Sequence, residues 1–108
     1  MDISIYFSPI SINTEEYYKE QIGGLIKSHT EQAGFPGIEG ADLIIFAVKE
    51  ERAAVNNAGC SLGADPIREK LYKLFFDRVP KTVDLGNVLP GETIQDTYHA
   101  VKTIIDVL

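Results

Sequence analysis

Leu43-Ile44-Ile45-Phe46-Ala47-Val48, a polar stretch at 49–62, Gly63-Ala64-Asp65-Pro66-Ile67-Arg68 and Val83-Asp84-Leu85-Gly86 follow one another in that order. Six apolar residues without a polar break suit a strand covered on both faces, as parallel strands are. Asp65 is a good helix N-cap, and Pro66 suits the first helical position, where a missing N–H costs nothing. Ile67, Leu71, Leu74 and Phe75 recur at helical spacing and predict one buried stripe. Val79-Pro80 closes the helix, and the second short strand follows. The stretch therefore predicts one βαβ unit of a parallel sheet, with a right-handed crossover. Ligands of such sheets gather at the carboxyl ends of the strands, and the 49–62 loop leaves one of those ends. Its fourteen residues exceed the usual βα connection of ~2–6, and long loops there often carry function.

Outward from this unit, Ile3-Ser4-Ile5-Tyr6-Phe7 alternates and predicts a strand ending before Pro9. Asn13 with Glu16 forms a capping-box-like pair, opening a helix whose apolar face is Tyr17, Tyr18, Ile22, Leu25 and Ile26. Gly23-Gly24 weakens it by ~1 kcal/mol per glycine relative to alanine. Gly34-Phe35-Pro36-Gly37 is a turn cluster. It sets residues 1–40, a strand and helix appendage, apart from the βαβα unit at 41–108. Beyond the Pro90-Gly91 turn, Thr93 caps a last helix with Ile94, Tyr98, Val101, Ile105 and Leu108 on one face and Ile104 beside it. The pattern then calls for a third core strand after Leu108.

The chain has 108 residues, enough for one domain, and 44% of them are hydrophobic. A net charge of −6 argues against a nucleic-acid groove and an anionic membrane surface, both of which need clustered positive charge. No apolar run approaches the ~18 residues of a membrane span, and the start lacks the basic and apolar regions of a signal peptide. Cys60 is the only cysteine, which excludes an internal disulfide and makes the cytoplasm the expected compartment.

The chemistry-bearing residues are sparse. His29 and His99 lack acidic or thiol neighbours at ligand spacing, so both are read as solvent-facing helix residues. Cys60, near a helix start, has no histidine close in sequence and is read as a partly buried loop residue. Gly59-Cys60-Ser61-Leu62-Gly63 fits the letters of a lipase elbow, but that elbow needs a strand directly before the serine and a helix directly after it. Gly59 and Gly63 before a helix start suggest phosphate binding, yet the G-x-G-x-x-G spacing is absent and Asp65 would repel an anion. Glu50-Glu51-Arg52 reads as a solvated loop edge, and Asn56-Asn57 as turn formers.

Four pieces in this order resemble the N-terminal part of the ureohydrolase family, which includes arginase, agmatinase and formimidoylglutamase. They are the strand 44–48, the loop Asn56-Asn57-Ala58-Gly59, the helix start Gly63-Ala64-Asp65-Pro66-Ile67-Arg68, and Asp84-Leu85-Gly86-Asn87. Gly91-Glu92-Thr93-Ile94 resembles the formimidoylglutamase branch. The likeness covers roughly residues 41–108, by the extent of these motifs. It departs from the family pattern at Ala47, Lys49 and Ala53, and at Ala64, which takes the usual proline position. The resemblance implies an α/β fold, a partial three-layer αβα parallel sheet like the N-terminal portion of the arginase fold. It implies a parent hydrolase in which two Mn²⁺ ions make a bridging hydroxide that attacks a guanidinium or amidine carbon. The family's ligands come from a Gly-Gly-Asp-His motif and two aspartate-rich motifs, none of which occurs in this sequence. No metal ligand, cofactor or catalytic residue is therefore expected in this chain, which would be an inactive N-terminal portion of such an enzyme. Arg52, Asn56 and Asn57 are its candidate substrate-loop residues, for a small guanidino or formimino substrate of the parent. The expected partners are the remainder of a parent chain or a second copy, with no nucleic acid and no membrane. Two other readings compete: a complete α/β module that works by binding or self-association, and a small nucleotide-binding domain.

Overall fold

The computed structural model describes residues 2–12, 16–54, 59–76, 78 and 80–108. In chain order its elements are β1 (Phe7–Ser8), α1 (Ile22–Leu25), β2 (Lys27–Ser28), β3 (Leu43–Val48), α2 (Ala64–Tyr72), β4 (Thr82–Val88) and α3 (Ile94–Val107). Short 3-10 turns occupy Ile3–Tyr6 and Cys60–Leu62. The fold is mixed α/β: a four-stranded mixed sheet with three helices.

β3, α2 and β4 form the expected parallel βαβ unit, with Leu43 opposite Thr82 and Val48 opposite Val88. β3 is less buried than its apolar run predicts. β4 is the central strand and is buried at all seven positions, whereas β3 is half-buried with exposed ends. β4 has neighbours on both edges. β3 runs along one, while β2 (parallel) and β1 (antiparallel) share the other. The uninterrupted apolar run of β3 therefore does not mark the most buried strand. The sheet is mixed rather than all-parallel because β1 enters antiparallel at Phe7–Val88. Residues 1–40 thus add two strands to the sheet.

One core lies between the sheet and α3, where Val83, Leu85 and Val88 meet Ile3, Phe7 and Ile104, with Ile44 and Phe46 packed alongside. A second joins Ile10, Ile22, Ile26 and Tyr72.

The N-terminal strand expected at 3–7 is a 3-10 turn over most of its length. The Asp2 carboxylate accepts from the backbone N–H and the hydroxyl of Ser4, at 2.9 and 2.6 Å, and this local bonding outcompetes a ladder. Only Phe7 and Ser8 reach the sheet. The helix expected from Asn13 is a single turn, Ile22–Leu25, with Gln21 at its N-cap. Asn13 itself lies outside the described residues, and Tyr18 and Leu25 are exposed.

α2 starts at Ala64 after an N-cap at Gly63, so Asp65 and Pro66 fall inside the first turn. Proline is still tolerated there, because the first four N–H groups of a helix have no partner within it. The predicted stripe on α2 is also not the buried face. Ile67, Leu74 and Phe75 are exposed, Leu71 is half-buried, and Arg68 and Tyr72 face the sheet. Leu74 and Phe75 lie beyond the helix, where Leu74 accepts from the Ile22 N–H and Phe75 bridges to Gln21.

α3 begins at the predicted cap. Thr93 and Asp96 form a reciprocal capping box. Its buried face is Thr97, Ala100 and Ile104 with Val101 half-buried, rotated away from Tyr98 and Ile105, which are exposed. Among the described residues no helix is long and apolar enough to cross a membrane.

Candidate functional site

A buried polar network joins α2 to β4. The Arg68 guanidinium donates from Nε and Nη2 to the two carboxylate oxygens of Asp84, at 2.7 and 3.0 Å. Its Nη1 reaches the Asn87 side-chain oxygen at 2.6 Å, and Nη2 also reaches the Gly86 carbonyl at 2.9 Å. Asp84 additionally accepts from the Tyr72 hydroxyl and from the Gly86 N–H, and Tyr72 shares a 2.9 Å bond with Ser28 on β2. Asp84 and Tyr72 are fully buried and Arg68 is 5% exposed. Burial and the neighbouring Asp84 carboxylate push the Tyr72 phenol well above its ordinary range.

Gly86 explains why this network can form. Side chains on a strand alternate faces, so residues three apart should point to opposite sides. Between Ile45–Asp84 and Ala47–Asn87, β4 advances three residues while β3 advances two. β4 therefore bulges at Leu85-Gly86, with Gly86 in the left-handed region at φ +95°. The extra residue returns Asn87 to the face of Asp84, and both meet one guanidinium. Leu85 turns to the opposite core. In physical terms, Asp84-Leu85-Gly86-Asn87 is a bulge that aims two oxygen-bearing side chains at Arg68.

A second network lies at the carboxyl ends of β3 and β4. Leaving β3, the chain places Glu50 and Arg52 against the start of α3. Arg52 donates from Nε and Nη2 to the Glu50 carboxylate, from Nη1 to the Glu92 carbonyl at 2.9 Å, and from Nη2 to the Gly91 carbonyl at 2.9 Å and the Thr97 hydroxyl at 3.1 Å. The Thr97 hydroxyl in turn donates to Glu50 at 2.7 Å and accepts from the Gly91 N–H at 2.8 Å. The Glu50 side chain is 6% exposed. The Arg52 hydrogen bonds, followed by that of Thr97, hold its carboxyl down at about 2, against an ordinary value of 4.5. Glu51 turns the other way and accepts from the backbone N–H groups of Ser61 and Gly59, which lower its pKa. Gly59 sits at φ +92°, which permits the turn into Cys60–Leu62.

The stretch expected to be a solvated edge is thus a two-way anchor. Of the candidate substrate-loop residues, Arg52 lies in this network, while Asn56 and Asn57 lie outside the described residues. Ser61 belongs to a 3-10 turn and donates its N–H to Glu51. Cys60 is exposed. His29 is buried rather than solvent-facing. It follows β2, its Nδ1 lies 2.9 Å from the Leu85 carbonyl, and its N–H donates to the Asp84 carbonyl. His99 lies exposed on α3, as expected. Sequence reasoning missed Glu50, Thr97, Asp84 and Tyr72 as partners. The one available signal was the i, i+4 pair of Arg68 and Tyr72, polar-tipped side chains sharing a helix face.

No three His, Cys, Asp or Glu side chains among the described residues gather into a group that could hold a metal ion. Comparison with protein-family models, curated proteins and solved structures found no match.

Proposed function

We propose that this chain is the N-terminal, substrate-loop portion of a ureohydrolase-like metallohydrolase, one that hydrolyses a guanidinium or amidine C–N bond with two Mn²⁺ ions held by residues outside this chain. The observation that carries the reading is the Arg68–Asp84–Asn87 contact. The resemblance rests on separate short motifs, and two of them, Ile67-Arg68 and Asp84-Leu85-Gly86-Asn87, meet through one buried guanidinium. The chain leaving β3 is tied beside the carboxyl end of β4 by Glu50 and Arg52, whereas residues 56–58 of the third motif lie outside the described residues. That is the end where open α/β sheets bind ligands. The partner in this reading is the rest of a parent chain, which would supply both the metal ligands and the further strands.

A second reading, self-association, is favoured by one feature. An apolar pocket of about 180 Å³ opens between α1, α2 and the edge strand β3, lined by Ile22, Ile26, Leu43, Ile45, Leu71 and Phe76 among others. Exposed apolar surface of this kind invites pairing.

Titration calorimetry with Mn²⁺, coupled to an assay for amidine and guanidinium hydrolysis, separates the possibilities. The isolated chain is expected to bind no stoichiometric Mn²⁺ and to release no product. Tight binding of one or two equivalents together with hydrolysis would contradict the proposal. Sedimentation of the same sample as a stable dimer at low concentration would favour the association reading.

A further inference from the structure

We propose that Glu50 and Arg52 form a latch that fixes the β3–α2 loop to the first turn of α3, so that Arg52 is a positioning residue of the loop and not a ligand of the substrate. The inference deepens the proposed function and rests on it for the word substrate. The latch itself is a matter of geometry.

A guanidinium has five N–H donors in a rigid fork. In Arg52 all three nitrogens are already engaged: Nε on Glu50, Nη1 on the Glu92 carbonyl, and Nη2 on Glu50, the Gly91 carbonyl and the Thr97 hydroxyl. Three acceptors share the two Nη2 N–H groups and Nη1 uses one of its two, so a single N–H stays uncommitted and neither edge of the fork is open for a bidentate substrate carboxylate. A substrate guanidinium or amidine carries positive charge and would be repelled by it. The acceptors are also not loop neighbours. Gly91, Glu92 and Thr97 lie about forty positions further on, across the β4–α3 connection. The effect is to tie the root of one loop to the start of the next helix.

Glu50 completes the latch. Its carboxylate binds Arg52 and accepts from the Thr97 hydroxyl, which holds the Gly91 N–H. Glu51 then gathers the far end of the loop by accepting from Gly59 and Ser61. Consecutive carboxylates thus act in opposite directions, one outward to α3 and one inward across the loop.

Three variants of the chain, E50Q, R52A and R52K, test the proposal by amide hydrogen exchange and by the Arg52 Nε–H resonance. Loss of these hydrogen bonds should speed exchange by about tenfold or more at Gly91, whose N–H the Thr97 hydroxyl holds, in E50Q and R52A, and at the Arg52 backbone N–H, which donates to Glu50, in E50Q. R52K, which keeps the charge without the fork, should recover part of the protection. Exchange at Val83 and Leu85 should stay unchanged, since those amides report the sheet. In the unaltered chain the Nε–H resonance should exchange slowly, and E50Q should abolish that protection. Acid should release the latch as pH falls from 4.5 toward about 2, because a carboxyl with a lowered folded pKa loses its contribution as it protonates. Unchanged exchange at Gly91 in E50Q and R52A, or equal acceleration across β4, would overturn the latch. A shift of the Arg52 Nε–H resonance on titration with agmatine or N-formimino-L-glutamate would make Arg52 a ligand and overturn the assignment. None of these readouts requires Mn²⁺ or turnover, so the latch and the hydrolase reading can fail separately.

Discussion

Arg68→Met should cost ~3–5 kcal/mol of folding stability, the range for removing one partner of a buried ion pair. The cause is what remains behind. Asp84 is fully buried, and without Arg68 its carboxylate keeps only the Tyr72 hydroxyl and the Gly86 N–H. Asn87 and the Gly86 carbonyl lose a donor at the same time. A 108-residue domain holds only ~5–15 kcal/mol in total, so this single change approaches unfolding. Asp84→Asn should also destabilise, since Arg68 then faces a neutral amide at 5% exposure. The double variant R68M/D84N should cost less than the sum of the two, because each single change already breaks the shared contact. Urea unfolding followed by circular dichroism reads all three. R68M within ~0.5 kcal/mol of the unaltered protein, the range of an ordinary surface substitution, would show that the network does not hold α2 to the sheet.

The second large effect is expected at Gly86, where Ala should cost ~2–5 kcal/mol by combining left-handed backbone strain with overpacking. Gly86 stands at φ +95°, and a Cβ there would press into the Ser8 backbone carbonyl and lie 3.1 Å from His29 Nδ1. Neither neighbour gives way readily. The Ser8 carbonyl belongs to β1, and His29 Nδ1 is held by the Leu85 carbonyl. Relaxation would have to undo the bulge, which would swing Asn87 away from Arg68. G86A should therefore couple to Asn87→Ala, with the second change costing little once the first is made. Fully additive losses in thermal or urea unfolding would contradict the bulge account.

These two positions also show what could be read from the chain. The βαβ order was legible, because an apolar run, a glycine- and proline-marked helix start and a second β-rich segment carry distinct local signals. The capping box at Thr93 was legible for the same reason: its two partners are three residues apart. The buried faces of α2 and α3 were not. Hydrophobic spacing favours Ile67 and Tyr98, but the helices turn Arg68, Tyr72 and Thr97 inward, because polar partners await them on β4 and at Glu50. Periodicity weighs apolarity and cannot register a carboxylate sixteen residues away in sequence. The strand expected at 3–7 failed for a related reason, since Asp2 offers Ser4 a local bond that a β-propensity reading ignores. The site was half legible. The 49–62 loop stood out by length, yet Glu50 and Arg52 looked like a solvated charge run until their acceptors at 91, 92 and 97 came into contact.

The central claim, that this slab of sheet is the opening portion of a metallohydrolase whose cation-holding residues lie elsewhere, is tested most directly by reading the coding DNA past the Leu108 codon. The account predicts an open frame that begins a further apolar strand within about 15 codons, a span set by usual connection lengths, and later a Gly-Gly-Asp-His sequence. A stop codon directly after Leu108 would contradict it.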